Sequence, residues 1–268
     1  KGINSFLGID HSREKFGIQV QGAVRKHGNY FAGGGKEVIY SQYQKFNFTT
    51  NAVYKLSSRE TIRFELLIDE ARDIGYPALP MDVSLAKANV AGFTYSIFNL
   101  NKVEQLTVKL YGNKIHHVMD DSQRPDVPIR MDMPGWSNTY GGWVKLKSKS
   151  LGSHQLNGML EYYNNFRRAE MTMYPVNDLP MFMLTWPDVS RNTYGIGVSD
   201  HWSTSDRSAL DLSIRFDLNQ TKLKTEEAKE YFKIFGKDTD APFYHWISNV
   251  KANYVYFLRP EWNLLFNT

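Results

Sequence analysis

Residues 103–119, VEQLTVKLYGNKIHHVM, set a pattern that the rest of the chain repeats. Leu106, Val108 and Leu110 alternate with Thr107, Lys109, Tyr111 and Asn113. A period of two belongs to a β-strand, whose successive side chains face opposite sides. The same alternation recurs at 15–31, 42–56, 61–71, 137–149, 154–166, 191–202, 209–218 and 247–258. Shorter runs fit strands at 3–10, 90–98 and 262–268. The cleanest case is 209–218, where Leu210, Leu212, Ile214, Phe216 and Leu218 oppose Asp211, Ser213, Arg215 and Asp217. About twelve strands are predicted in this way. One stretch breaks the pattern. TEEAKEYFKIFG, inside 219–243, predicts a short helix with Thr225 as N-cap and Gly236 as C-cap.

The connections sort into two kinds. Tight polar turns fall near 11–14, 57–60, 99–102, 150–153, 203–206 and 259–261. Between them come longer connections: a Gly33-Gly34-Gly35 loop, then 73–88, 120–136, 167–190 and 219–243. Short and long alternate, so one end of the sheet is trimmed and the other is not. Outer-membrane barrels have short turns on the periplasmic side and long loops outside. Strands of ~10 residues or more also exceed the ~5–6 usual in globular sheets. The predicted fold class is all-β, an antiparallel transmembrane β-barrel. A soluble sheet with one wetted face shows the same alternation. A soluble β-rich, carbohydrate-binding module is therefore the rival, and strand length and loop asymmetry count against it.

Composition adds weight to one side. Aromatic residues make up 14% of a chain whose mean hydropathy is −0.46. That combination suits a wall with one apolar face, one wet face and belts of Tyr and Trp. No run of ~18 apolar residues is present, so no helical span is predicted. The net charge of +4 comes from bases spread along the chain, which gives no nucleic-acid footprint. Cysteine is absent, which excludes a disulfide framework and a cysteine nucleophile. The chain opens on KGINSF, already strand-like and without a signal peptide, and it closes in mid-pattern. A fragment of a larger barrel is expected.

The candidate chemistry sits at the end of the opening stretch. His117 and Met119 are two residues apart and share the polar face of their strand. Imidazole suits copper and zinc, and a thioether suits soft Cu(I). His116 has the opposite parity and should face lipid or headgroups. Met131 and Met133 repeat the spacing in what reads as the following loop and are accessory candidates. Met171, Met173, Met181 and Met183 repeat it again in the next long loop, where flexible gap-filling is the expected role. Asp120, Asp121, Asp126 and Asp132 match no calcium-loop spacing and read as solvated loop charges. Trp136, Trp186 and Trp202 read as interface belt residues. His201, Ser203, Ser205 and Asp206 cluster at a short turn without a nucleophile elbow, so no catalytic role is assigned.

Three blocks carry a resemblance: ARDIGYPALPMD at 71–82, IHHVMDD at 115–121 and IRMDMPGWSNTYGGW at 129–143. They resemble the barrel of TonB-dependent outer-membrane receptors, and within that superfamily the copper-receptor branch. The resemblance implies a barrel of about 22 strands filled by an N-terminal plug. Residues 1–268 would then be part of the barrel domain, without the plug and the final strands. It implies copper as cargo and a barrel-wall pair, His117 and Met119, completed by Cys and Met ligands of the plug. It implies the TonB energy-transducing complex, acting through the plug, and the outer-membrane bilayer as partners, a Gram-negative outer-membrane location, and no covalent chemistry on the receptor. A siderophore, haem or an oligosaccharide would be the alternative cargo.

Overall fold

A computed structural model describes residues 2–236 and 239–267. Twelve strands form one antiparallel sheet: β1 (Gly2–Ser12), β2 (Phe16–His27), β5 (Tyr43–Lys55), β6 (Glu60–Ile74), β7 (Asp82–Leu100), β8 (Val103–Asp120), β9 (Arg130–Ser148), β10 (His154–Tyr174), β11 (Met181–Ser205), β12 (Ser208–Leu223), β13 (Phe243–Arg259) and β14 (Trp262–Asn267). A separate two-stranded hairpin, β3 (Tyr30–Phe31) and β4 (Glu37–Val38), occupies the connection between β2 and β5. Each long strand pairs with its neighbours in sequence, so the sheet is a pure meander. The tight turns lie at one end and the long connections at the other.

One face of the sheet is apolar and bare. A single cross-strand row runs Ile18, Ala52, Phe64, Phe93, Leu110, Gly142, Tyr162, Tyr194, Leu218, Trp246. Leu110 is 60% exposed and Leu160 57%. Among the described residues no second sheet covers this face. The few buried apolar side chains include a small cluster of Leu184, Leu223 and Ala228. A soluble sandwich would place its core where these side chains stand open. No helix among the described residues is long and apolar enough to cross a membrane.

The opposite face is polar and cross-linked. Lys109 Nζ donates to Glu65 at 2.5 Å, and Lys147 Nζ to Glu104 at 2.9 Å. Arg215 Nη2 bridges Glu161 and Asp217, at 2.7 Å to each. Between two such crowded walls β9 carries Gly141 and Gly142. A Cβ on Gly141 would lie 2.5 Å from Tyr163 Cβ, and one on Gly142 would lie 2.7 Å from Leu110 Cδ2. Glycine lets both neighbouring strands close on β9 there.

Above the apolar band the outward face turns polar. Asn164 Nδ2 donates to Asn192 Oδ1 at 2.8 Å, Asn192 Nδ2 to Gln220 Oε1 at 3.0 Å, and Gln220 Nε2 to Tyr244 OH at 3.0 Å. This amide ladder crosses β10 to β13 on the face that carries Tyr162 and Tyr194 lower down. Along the same side lie Lys87, Lys114 and Asn138 on β7, β8 and β9.

Here the strands outrun the sequence expectation. The stretch 73–88 is strand except for 75–81, and 167–190 is strand except for 175–180. Alternation stops where both faces become polar, although the hydrogen-bonded ladder continues. Bulges hide the rest. Ser84 is an extra residue on β7 against β8, and the register of β11 against β10 slips between Arg167 and Glu170. The helix α1 (Glu226–Lys233) forms with Thr225 as its N-cap, as predicted, but its C-cap is Ile234, and Gly236 lies two residues beyond it. Thr225 accepts from the Ala228 N–H at 3.3 Å, and Gly236, at φ +68°, donates to Lys233 O at 2.9 Å. Within α1 the hydrogen bond from Lys229 holds the Glu226 carboxyl below the usual carboxylate range.

Candidate metal-binding wall

The four candidate ligands lie on two adjacent strands. His117 and Met119 end β8, and its register against β9 is unbroken from Gln105 to Asp120. They therefore share the face of Lys109 and Tyr111. His116 faces the other way, where it stacks on Trp136 with ring centroids 5.3 Å apart. The parity expectation for all three residues holds.

Met131 and Met133 are not in a loop. Both belong to β9, and Met133 stands directly opposite Met119. Directly opposed residues point to the same side with Cβ atoms ~5 Å apart. The corrected placement brings Met133 beside Met119, while Met131 lies one row farther up. The spacing misled because Pro125, Pro128 and Pro134 suggested a loop, yet Pro134 is accommodated inside β9.

The ladder extends further. Met171 pairs with Met183, and Met173 with both Met131 and Met181. The β9–β10 register carries Met171 opposite Met133. Two rows result: Met119, Met133, Met171, Met183, and above it Met131, Met173, Met181. Seven of the nine methionines thus share one face at one end of the sheet. None of the seven is buried, and Met181 is 45% exposed. The signal was legible as a Met-x-Met triplet at 131, 171 and 181, a spacing that only a strand converts into one face.

Below the methionine rows the wall is low. His117 pairs with Ala86 on one side and Gly135 on the other, and Gly135 pairs with Ala169. The imidazole therefore stands between small neighbours, open to approach from the polar side. Among the described residues no three His, Asp or Glu side chains gather as a metal cluster. The donor set on this wall is one imidazole and a bank of thioethers, suited to a soft cation.

The connection between β8 and β9 is braced from within. Asp121 is buried, not solvated, and its Oδ2 accepts the Met131 N–H at 2.9 Å. Arg130 Nη1 donates to the backbone oxygens of Asp121 and Arg124 at 2.6 and 2.5 Å. Arg124, also buried, grips Asp82 through Nε at 2.9 Å and Nη2 at 2.5 Å, and Tyr76 O at 3.0 Å. Its guanidinium lies 3.5 Å from the centroid of the Tyr40 ring. Three long connections are pinned by this one side chain, and with them the upper ends of β8 and β9. Asp120 accepts from the Ser122 N–H and Oγ in a local turn.

No family model and no curated protein sequence matches the chain. Solved structures do. The copper transporter OprC matches with TM-score 0.81 and 18% identity over 96% of this chain and 40% of its own. The ferric citrate transporter FecA in its unliganded form matches at 0.73 and 10% identity, over 99% and 43%. BauA, the ferric preacinetobactin receptor from Acinetobacter baumannii, matches at 0.72 and 10%, over 99% and 45%. The chain thus spans less than half the length of these three structures. These neighbours are TonB-dependent receptors, and the chain has the fold of part of their barrel.

Proposed function

We propose that this chain forms part of the wall of an outer-membrane, TonB-dependent transporter that imports copper, captured as soft Cu(I), into the periplasm of a Gram-negative bacterium. The observation that carries the reading is the pair of methionine rows joined to His117 on one polar face. Thioethers hold Cu(I) weakly one at a time, so a bank of them gives successive exchange partners, and an imidazole at the lower edge gives a firmer end point. The metal would meet Met131, Met173 and Met181 first, pass to Met119, Met133, Met171 and Met183, and reach His117 beside Met119. Ligands from elsewhere in the protein would complete that site through the gap left by Ala86, Gly135 and Ala169. Energy for release would come from the inner membrane through TonB. The fold likeness to the copper transporter OprC supports the cargo, and the likeness to FecA and BauA supports the transport class.

The test uses the intact protein in detergent, loaded with Cu(I) under reductant, desalted and assayed by elemental analysis. His117→Ala and the pair Met119→Ala/Met133→Ala are expected to remove most of the retained copper. Retention equal to the parent in both variants would rule out this site. If copper is not retained by the parent while a ferric chelate is, the cargo is a ferric siderophore carried by the same fold.

A further inference from the structure

Two rows below the lower methionine row, the polar face carries a pair of arginines with no acidic partner. Arg167 on β10 pairs with Ser137 and Val189, and Arg191 on β11 pairs with Asn165 and Thr221. The two are diagonal neighbours, within reach of a shared ligand at the usual ~7–8 Å diagonal spacing. On this face Lys109, Lys147 and Arg215 have carboxylate partners, while Lys145 lies over the Trp143 ring. Between the methionine rows and Glu161 with Asp217, no Asp or Glu is set on this face in β8, β9, β10 or β12. Asp188, at the bulge of β11, turns to Arg168 on the opposite side.

The pair is also oriented. Asn165 is buried, and its Nδ2 is held by Thr139 Oγ1 at 2.8 Å. Its Oδ1 accepts Arg167 Nε at 2.6 Å, which fixes the plane of that guanidinium and leaves its two terminal nitrogens unused. Arg191 makes no side-chain hydrogen bond among the described residues, and its buried Nε has no partner. A buried guanidinium N–H without an acceptor is costly, and two uncompensated guanidinium groups side by side repel each other. A planar, bidentate oxyanion answers both, since the guanidinium fork matches carboxylate geometry.

We propose that Arg167 and Arg191 form a carboxylate-binding subsite on the polar wall, with Asn165 as the residue that positions Arg167. The carboxylate comes either from a free ligand or from an Asp or Glu side chain elsewhere in the same protein. The inference uses none of the methionines and stands whether or not the wall binds copper.

Citrate serves as the probe, titrated calorimetrically into the intact protein in detergent at low salt. If the source is a free ligand, citrate binds and R167Q/R191Q weakens it at least tenfold, with each single variant intermediate. If the source is internal, citrate does not bind the parent. Carbodiimide treatment of R191K then joins the introduced amine to an acidic side chain, found by peptide mass spectrometry. Heat-modifiable gel mobility, unchanged from the parent, shows that each variant is folded. Citrate binding indifferent to both substitutions, or neither citrate binding nor a cross-link, overturns the proposal.

Discussion

Arg124 shows how much one side chain can govern. From the β8–β9 connection it reaches Tyr40 in the β2–β5 connection, Tyr76 in the β6–β7 connection and Asp82 at the start of β7, with both members of its ion pair almost wholly withdrawn from solvent. Removing one partner of a buried pair costs about 3–5 kcal/mol, because the other charge stays buried and unmatched. Arg124→Ala is expected to lower the chemical-denaturation stability of the intact protein by that order, and to weaken copper retention by loosening the ends of β8 and β9. An unchanged denaturation midpoint would show that the three connections are held by something else. Nothing in the local sequence announces this residue. Its partners lie 42 and more positions away, and spacing arguments are blind at that range. His117 and Met119, by contrast, were readable, since parity along one unbroken strand suffices to place both.

At the scale of elements, the strands were legible where one face is greasy and the other wet, and lost where both are wet. Residues 209–218 announce β12 at once, yet its last stretch, Asn219 to Leu223, carries no alternation and is still paired. The same loss concealed the upper halves of β7, β10 and β11, and with them the methionine rows. The loop they were assigned to shrinks to 175–180, where Val176 and Leu179 are 86% and 80% exposed. Proteolysis of the intact protein with an elastase-like enzyme is expected to cut after Val176 and to spare Ala169 and Val189, whose backbone is held in the ladder. Early cleavage at Ala169 or Val189 would restore the longer loop. Gly141 and Gly142 belong to the same scale, because the strands on both sides require them.

For the whole molecule, the question is which medium wets the apolar face. Ile214 lies on it, opposite Val198 and Val250, and Ser213 lies on the other, one residue apart on β12. An Arg on the lipid-facing side of a barrel costs ~2–4 kcal/mol near mid-bilayer, while substitutions on the lumen side cost far less. Ile214→Arg is expected to lower the folding stability in lipid vesicles by that order, with Ser213→Arg close to the parent. Equal effects would mean that the sheet has no lipid side. Twelve strands, their order and their faces were all legible from periodicity and turn spacing. What surrounds the polar face was not, because its partners are not local in the chain.

The amide ladder from Asn164 to Tyr244 has a consequence for height. Sinking the wall would drive hydrogen-bonded amides into hydrocarbon, and raising it would bare the leucines below to water. The ladder thus works as a float line that fixes how deep the wall rides. Met171 lies seven residues beyond Asn164 on β10. At ~3.3 Å per residue and a tilt of 35–45°, that is roughly 16–19 Å above the line. The methionine bank would stand well clear of the bilayer, on the far side of the line from the leucines.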